Sequence, residues 1–182
     1  MVLCLATFWV AVMGVAQANL IAGSLPLAGI QDSENGTTLL SSTILSDVHT
    51  ITSGLGTGDF SVIPVMTTDF GPFSLSLSAL SSGGGFSLFN ATYGGFVANS
   101  GSLTFVKPNF LNVDLFGTYT PGPGIPGGVT AAPAELHLSF TQTGQSVSAS
   151  MTLATVPEPG TMLLLGSAIL GFASLLRHKR LE

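Results

Sequence analysis

Ser74-Leu75-Ser76-Leu77-Ser78 alternates polar and apolar residues with a period of two. Successive side chains of an extended strand point to opposite faces, so Leu75 and Leu77 share one face and the serines the other, the pattern of a strand with one buried side. Similar strands are expected at Asp59–Met66, Gly85–Phe89, Gly95–Ala98, Ser102–Val106, Leu111–Tyr119, Glu135–Thr141 and Ser146–Leu153, and a strand-like run at Thr37–Leu45 follows the turn pair Asn35-Gly36. Turn-forming stretches separate them: Ser81–Gly85, Gly94-Gly95, Asn99–Gly101, Lys107-Pro108-Asn109 and Thr143-Gly144-Gln145. The last two strands read as a closing hairpin. Many short strands joined by tight turns predict an all-β domain over residues 19–155, an antiparallel two-sheet β-sandwich with a jelly-roll-like order. Pro121–Pro133 holds four prolines and four glycines in 13 residues, so it reads as a long, loose surface connection at the edge of the sandwich.

Composition agrees with that reading. Of the 182 residues, 46% are hydrophobic and only 7% charged, with 23 glycines, a profile unlike that of a charged helical bundle. Between residues 19 and 155 there are seven acids and the single base Lys107, a formal charge of −6. Affinity for phosphates comes from Lys and Arg, so nucleic acid is excluded as a partner. The one cysteine, Cys4, lies in a segment expected to be removed, which leaves the domain without disulfide or thiol chemistry.

Both ends of the chain carry a different signal. Val2–Val15 is an apolar run, followed by Ala16-Gln17-Ala18, a small-x-small pattern suited to signal peptidase. Residues 1–18 therefore read as a signal peptide with an apolar helix, cleaved at Ala16 and Ala18, although no Lys or Arg precedes the run. At the other end, Gly160–Leu176 contains 17 residues without a charge. At ~1.5 Å per residue a helix of that length spans about 25 Å, just short of a hydrocarbon core of ~30 Å. Its hydroxyls, on Thr161, Ser167 and Ser174, can bond back to their own helix, so residues 160–176 are expected to be a transmembrane helix. Arg177, Lys179 and Arg180 cluster at its far end and would act as a cytoplasmic stop, placing Val156-Pro157-Glu158-Pro159 outside.

A Pro-Glu-Pro signature, a short apolar helix and a terminal basic cluster, in that order over residues 156–182, resemble the PEP-CTERM sorting tail of exported bacterial proteins. The resemblance implies that Val156, Pro157, Glu158 and Pro159 form a sorting signal. It further implies recognition and cleavage by an exosortase, with passage from the inner membrane to the cell surface or an extracellular polysaccharide matrix. Expected partners are then signal peptidase, the exosortase, the membrane and extracellular polysaccharide.

Candidate chemistry in the body is sparse. His137 lies in the alternating Leu136-His137-Leu138-Ser139-Phe140, opposite the leucines, and is expected to face solvent. Asp47-Val48-His49 places two titratable side chains on one face of an extended segment, too few for a metal site. Asp32 and Glu34 read as solvated acids beside a turn. Gly54-x-Gly56-x-Gly58 lacks the lysine and following helix of a phosphate cradle, and no Gly-x-Ser-x-Gly elbow occurs. Tyr93, Tyr119 and Phe110 are the candidate sugar-stacking aromatics. The expectation is a non-catalytic structural or adhesive domain with no cofactor and no metal. The alternative is a carbohydrate-binding protein or glycan hydrolase on the same scaffold, the latter requiring two converging carboxylates.

Overall fold

The computed structural model describes residues 19–156. The predicted signal peptide with Ala16 and Ala18, the predicted membrane helix, Pro157, Glu158 and Pro159, and the basic cluster Arg177, Lys179 and Arg180 all lie outside the described residues. Ten strands form two antiparallel sheets: β1 Ser24–Ile30, β2 Ser33–Glu34, β3 Ile44–Ser46, β4 His49–Thr52, β5 Ser74–Ser76, β6 Ser87–Asn90, β7 Gly94–Lys107, β8 Phe110–Pro121, β9 Ala132–Thr143 and β10 Ser146–Thr155. The larger sheet has seven strands in the order β4-β1-β10-β9-β8-β7-β6, and the smaller has three in the order β2-β3-β5.

From β6 to β10 each strand pairs with the next in sequence, so the large sheet is a meander with β1 and β4 added beside β10; the jelly-roll order expected from the strand pattern does not occur. Closing a short loop costs less chain entropy than a long one, and the turns at Pro108-Asn109 and Gly144-Gln145 favour this direct pairing.

The two edges of the large sheet come back to a single short segment. Thr50 in β4 donates its amide to the Gly71 carbonyl and accepts from the Phe70 amide, while Thr52 donates to Thr68. On the opposite edge, the Phe89 amide of β6 donates to the Phe70 carbonyl, and Asn90 Nδ2 donates to the Asp69 carbonyl at 2.8 Å. A sheet whose first and last strands both bond residues 68–71 must roll up, so its buried face becomes the inside of a nearly closed barrel. Alternating residues fill that interior: Leu111, Val113, Leu115 and Tyr119 from β8, Leu136, Leu138 and Phe140 from β9, and Met151 and Leu153 from β10. Phe73, just beyond the closing segment, lies 4.9 Å from Phe86 and 6.3 Å from Phe140 across the core, and Phe60 meets Tyr119 edge-on at 5.0 Å. The small sheet contributes Leu45 and Leu75 to the same core.

Several expected strands are shorter or absent for local reasons. The alternation at Ser74–Ser78 forms β5 only as far as Ser76, and a kinked 3-10 segment takes over at Leu77–Gly85. Gly83 and Gly84 hold φ of +81° and +63° there, and a Cβ on Gly83 would stand 2.3 Å from the Ala98 carbonyl, so the turn against β7 requires glycine. Asp59–Met66 is a 3-10 turn at Gly58–Val62 running into Pro64, which cannot donate to a ladder. Thr37–Leu45 gives way to a 3-10 turn at Leu39–Ser41, capped by Thr38. Conversely, Gly95–Ala98 and Ser102–Val106 are one strand: Asn99–Gly101 is absorbed as an irregularity between Ala98 and Ser100, followed by another between Leu103 and Phe105.

The Pro/Gly-rich stretch joins two adjacent central strands, β8 and β9, rather than lying at a sheet edge. It is pinned, not loose: Gly122 donates to Tyr93, Gly124 to Thr92 and Thr130 to Asn19, and Ile125 is buried. Among the described residues no helix is long and apolar enough to cross a membrane.

Candidate functional site

Alternation along β8, β9 and β10 turns one set of residues into the core and the other onto the outer wall of the barrel. The wall divides in two. Over β9 and β10 it is a hydroxyl field of Ser139, Thr141, Ser146, Ser148, Ser150 and Thr152, with Ser148 opposite Thr141 and Ser150 opposite Ser139. Over β6 to β8 it carries exposed apolar groups: Phe89 is 69% exposed, Val97 55% and Phe116 45%.

His137 lies on this wall, as its place in the alternation predicts, directly opposite Asp114 on β8. Its Nδ1 makes a close hydrogen bond with Asp114 Oδ1. That contact orients the imidazole, but the surrounding wall residues in the register, Ser139, Asn112 and Phe116, bring no third titratable group beyond Glu135 on the same strand. A second pair, His49 Nδ1 and Asp69 Oδ2 at 2.7 Å, sits at the seam where the barrel closes. Asp47 and His49, expected on one face, are separated. Asp47 is buried, accepting from Thr50 Oγ1 and the Phe73 amide, both at 2.7 Å, whereas His49 is exposed. Desolvation holds the Asp47 carboxyl above its usual range, opposed by those two hydrogen bonds. Asp47 is thus a structural anchor that ties the Phe73 end of the closing segment to β4.

Asp32 and Glu34 are also drawn into the fold rather than left in solvent. Asp32 Oδ2 accepts from the Ala149 amide at 2.7 Å while Oδ1 is buried without a partner. Burial, reinforced by the charge of Asp47 and opposed by the Ala149 bond, pushes its carboxyl up to about 6. Glu34 accepts from Ser42 Oγ at 2.7 Å and from Gln142 Nε2 at 2.5 Å. Gln142, which the sequence reading did not single out, is a buried hub at the end of β9: its Oε1 also accepts from the Leu39 amide at 3.1 Å, and its Nε2 reaches the carbonyls of Thr37 and Gly144. Its only sequence signal is a polar residue at an inward position of the alternation, Leu136, Leu138, Phe140, Gln142.

Of the three candidate stacking aromatics, Tyr119 is excluded. It is fully buried, its hydroxyl donates to the Tyr93 carbonyl at 2.7 Å, and burial raises its phenol well above the usual value. Tyr93 is half-buried. Phe110 stacks edge-on against Phe105 at 5.4 Å, with Lys107 Nζ 5.1 Å from the Phe105 ring, around a shallow recess lined by Lys107, Pro108, Asn109 and Phe110 that contains no carboxylate. Gly54, Gly56 and Gly58 pack against Pro26, Phe60 and Ala22 respectively, in a turn whose amides are used by the chain itself: the Thr57 amide donates to Ser24 and the Asp59 amide to Ala22. Among the described residues no three His, Cys, Asp or Glu side chains gather where they could hold a metal.

The remaining sequence-predicted site residue inside the described region is Val156. Strand β10 ends at Thr155, whose amide donates to the Gly23 carbonyl, and the Val156 amide donates to Pro133 at 2.9 Å. Val156, the last described residue, is thus still bonded into the domain, and Pro157 follows it directly in the chain.

Comparison with protein-family models finds the PEP-CTERM protein-sorting motif over residues 155–180. No curated protein and no solved structure matches the chain. The tail is a PEP-CTERM sorting motif, which implies export through the membrane towards the cell surface and processing by an exosortase.

Proposed function

We propose that this chain is a cell-surface or extracellular-matrix protein whose rolled β domain is a non-catalytic structural or adhesive unit, delivered by a disposable C-terminal tail. In this reading signal peptidase removes residues 1–18, and Gly160–Leu176 holds the tail in the membrane. Arg177, Lys179 and Arg180 keep its end cytoplasmic, and the exosortase reads Val156 to Pro159. The observation that carries it is a shared boundary: the sorting motif begins at residue 155, where the last strand of the domain ends. Domain and tail are thus consecutive units with no spacer between them.

Support for a non-catalytic body comes from how its titratable groups are used. Asp32, Glu34 and Asp47 serve as hydrogen-bond acceptors for backbone and neighbouring side chains, and the two histidines are each committed to one aspartate. A second reading, a carbohydrate-binding wall, is favoured by the exposure of Phe89 and Phe116 beside a field of hydroxyls, since sugar rings stack on flat aromatic surfaces. Extracellular polysaccharide is the partner in either case, as scaffold or as ligand.

The mass of the protein recovered from outside the cell tests the proposal. A species running from Asn19 to the neighbourhood of Pro157 is expected, and it should disappear when the exosortase is deleted or Glu158 is replaced by alanine. Full-length protein in the cytosol of exosortase-bearing cells would overturn it.

A further inference from the structure

Among the described residues the chain covers the edges of its own large sheet almost everywhere. β4 is bonded by Thr68–Gly71 and β6 by Phe70, while the first half of β7 pairs with β6 and is bonded at Ala98 by the Phe86 carbonyl. Gly83 and Leu80 pack against Ala98 and Gly101. Beyond that point the cover ends. From Ser102 to Lys107, β7 has β8 on one side and, among the described residues, no strand on the other. All six residues are exposed, with Leu103 at 44%, Phe105 at 42% and Val106 at 40%. An open edge presents unpaired amides and carbonyls to any extended segment that fits, and proteins usually blunt it with charge or proline. Here one irregularity and the terminal Lys107 are the only such devices.

We propose that Ser102–Lys107 pairs with the same segment of a second copy of this chain, antiparallel across a two-fold axis normal to the sheet. The register is set by the faces. Ser102 and Lys107 lie on the outer face, opposite Asp114 and Phe110 in β8, whereas Leu103 and Val106 lie on the inner face, opposite Val113 and Leu111. A two-fold axis of this kind keeps outer with outer, so Ser102 meets the partner's Lys107 and Leu103 meets the partner's Val106. Apolar side chains then cover each other on one face. On the other, each lysine stands beside Ser102 of the opposing copy, one strand away from Asp114.

Charge selects a second copy as the occupant. Residues 19–155 carry seven acids, and their single Lys or Arg is Lys107, at the end of the open edge. Two copies repel each other through most orientations and attract only where that lysine can approach an acid of its neighbour. The proposed register does so twice, by symmetry, without opposing like charges.

Sedimentation velocity on the processed protein recovered from outside the cell, over about 1 to about 200 μM, tests the pairing. A concentration-dependent dimer is expected. Lys107→Glu and Leu103→Lys, both at exposed positions and checked for an unchanged urea midpoint, should each raise the dissociation constant roughly tenfold or more. Combining Lys107→Glu with Asp114→Lys should recover much of that loss. A monomer throughout the range overturns the proposal, and so does a dimer indifferent to both single substitutions. Should Leu103→Lys fail to fold, Lys107→Glu alone decides, because its side chain supports nothing in the core.

Discussion

Asp32 illustrates how a residue that looks like turn chemistry becomes an energetic liability of the fold. Its Oδ2 caps the Ala149 amide in β10, yet Oδ1 is buried without a partner, and the carboxyl is pushed up to about 6 from an ordinary 3.8. Between those values the folded chain binds a proton that the unfolded chain releases. Stability therefore rises as pH falls from about 7 towards 4, and the cost of the charged carboxylate is fully present above 6. Asp47 is displaced in the same direction and adds to the trend. Because Asp32 is only partly buried, solvent screening reduces the effect to about 1 kcal/mol, a rise of about 3 °C in the thermal midpoint between pH 7 and pH 5. Asp32→Asn retains an acceptor for Ala149 and should flatten that profile. A wild-type midpoint that falls on acidification over this interval would contradict the assignment.

The elements show which parts of the fold were legible in the sequence and why. β8, β9 and β10 were readable because each keeps one side against a large apolar interior for its whole length, so burial imposes strict alternation; Leu136-His137-Leu138-Ser139-Phe140 states it almost without error. The closing segment was not readable. Thr68–Gly71 bonds two strands distant in sequence, and nothing in Thr68-Asp69-Phe70-Gly71 announces partners at Thr50 and Phe89. β1, at Ser24–Ile30, is hard to read because Pro26 and the mixed sequence around it hide a two-residue pattern, although Leu25 and Leu27 are fully buried. In the candidate site, the tail was legible because its signal is compositional, whereas Gln142 and the Asp114–His137 pair depend on which strands become neighbours. Glycines divide the same way. Gly94 holds φ +101°, and a Cβ there would stand 2.1 Å from the Thr120 carbonyl across the β7–β8 pairing; Gly127 holds φ +88° with nothing within 4 Å. Gly94→Ala should therefore cost about 3 kcal/mol, against about 1 kcal/mol for Gly127→Ala, which suffers only the backbone term. Urea denaturation of the two variants side by side separates the steric contribution, and equal losses would mean that the close approach at Gly94 relaxes freely.

At the scale of the whole molecule, the consequence of an absent spacer is mechanical. Thr155 and Val156 are tied into the domain by bonds to Gly23 and Pro133, and the next residue in the chain, Pro157, is part of the sorting signature. Under the proposed function, an exosortase acting at that signature works next to residues that are still bonded into the folded barrel. Chain ends in β-ladders open locally more often than the core does, and here the last rung must open or the enzyme must fit around it. Insertion of about six Gly/Ser residues between Val156 and Pro157 supplies roughly 13 Å of flexible reach. Tail removal in pulse-labelled cells should then become faster while the mature domain keeps its thermal midpoint. In the proposed topology Arg177, Lys179 and Arg180 would lie at the other side of the membrane, so replacing them by glutamine should lower the amount of correctly oriented precursor without changing the rate at which that precursor is cut. If the inserted spacer leaves the processing rate unaltered, the enzyme reaches its signature without contest from the domain, and the tight junction at Thr155 has no part in timing release.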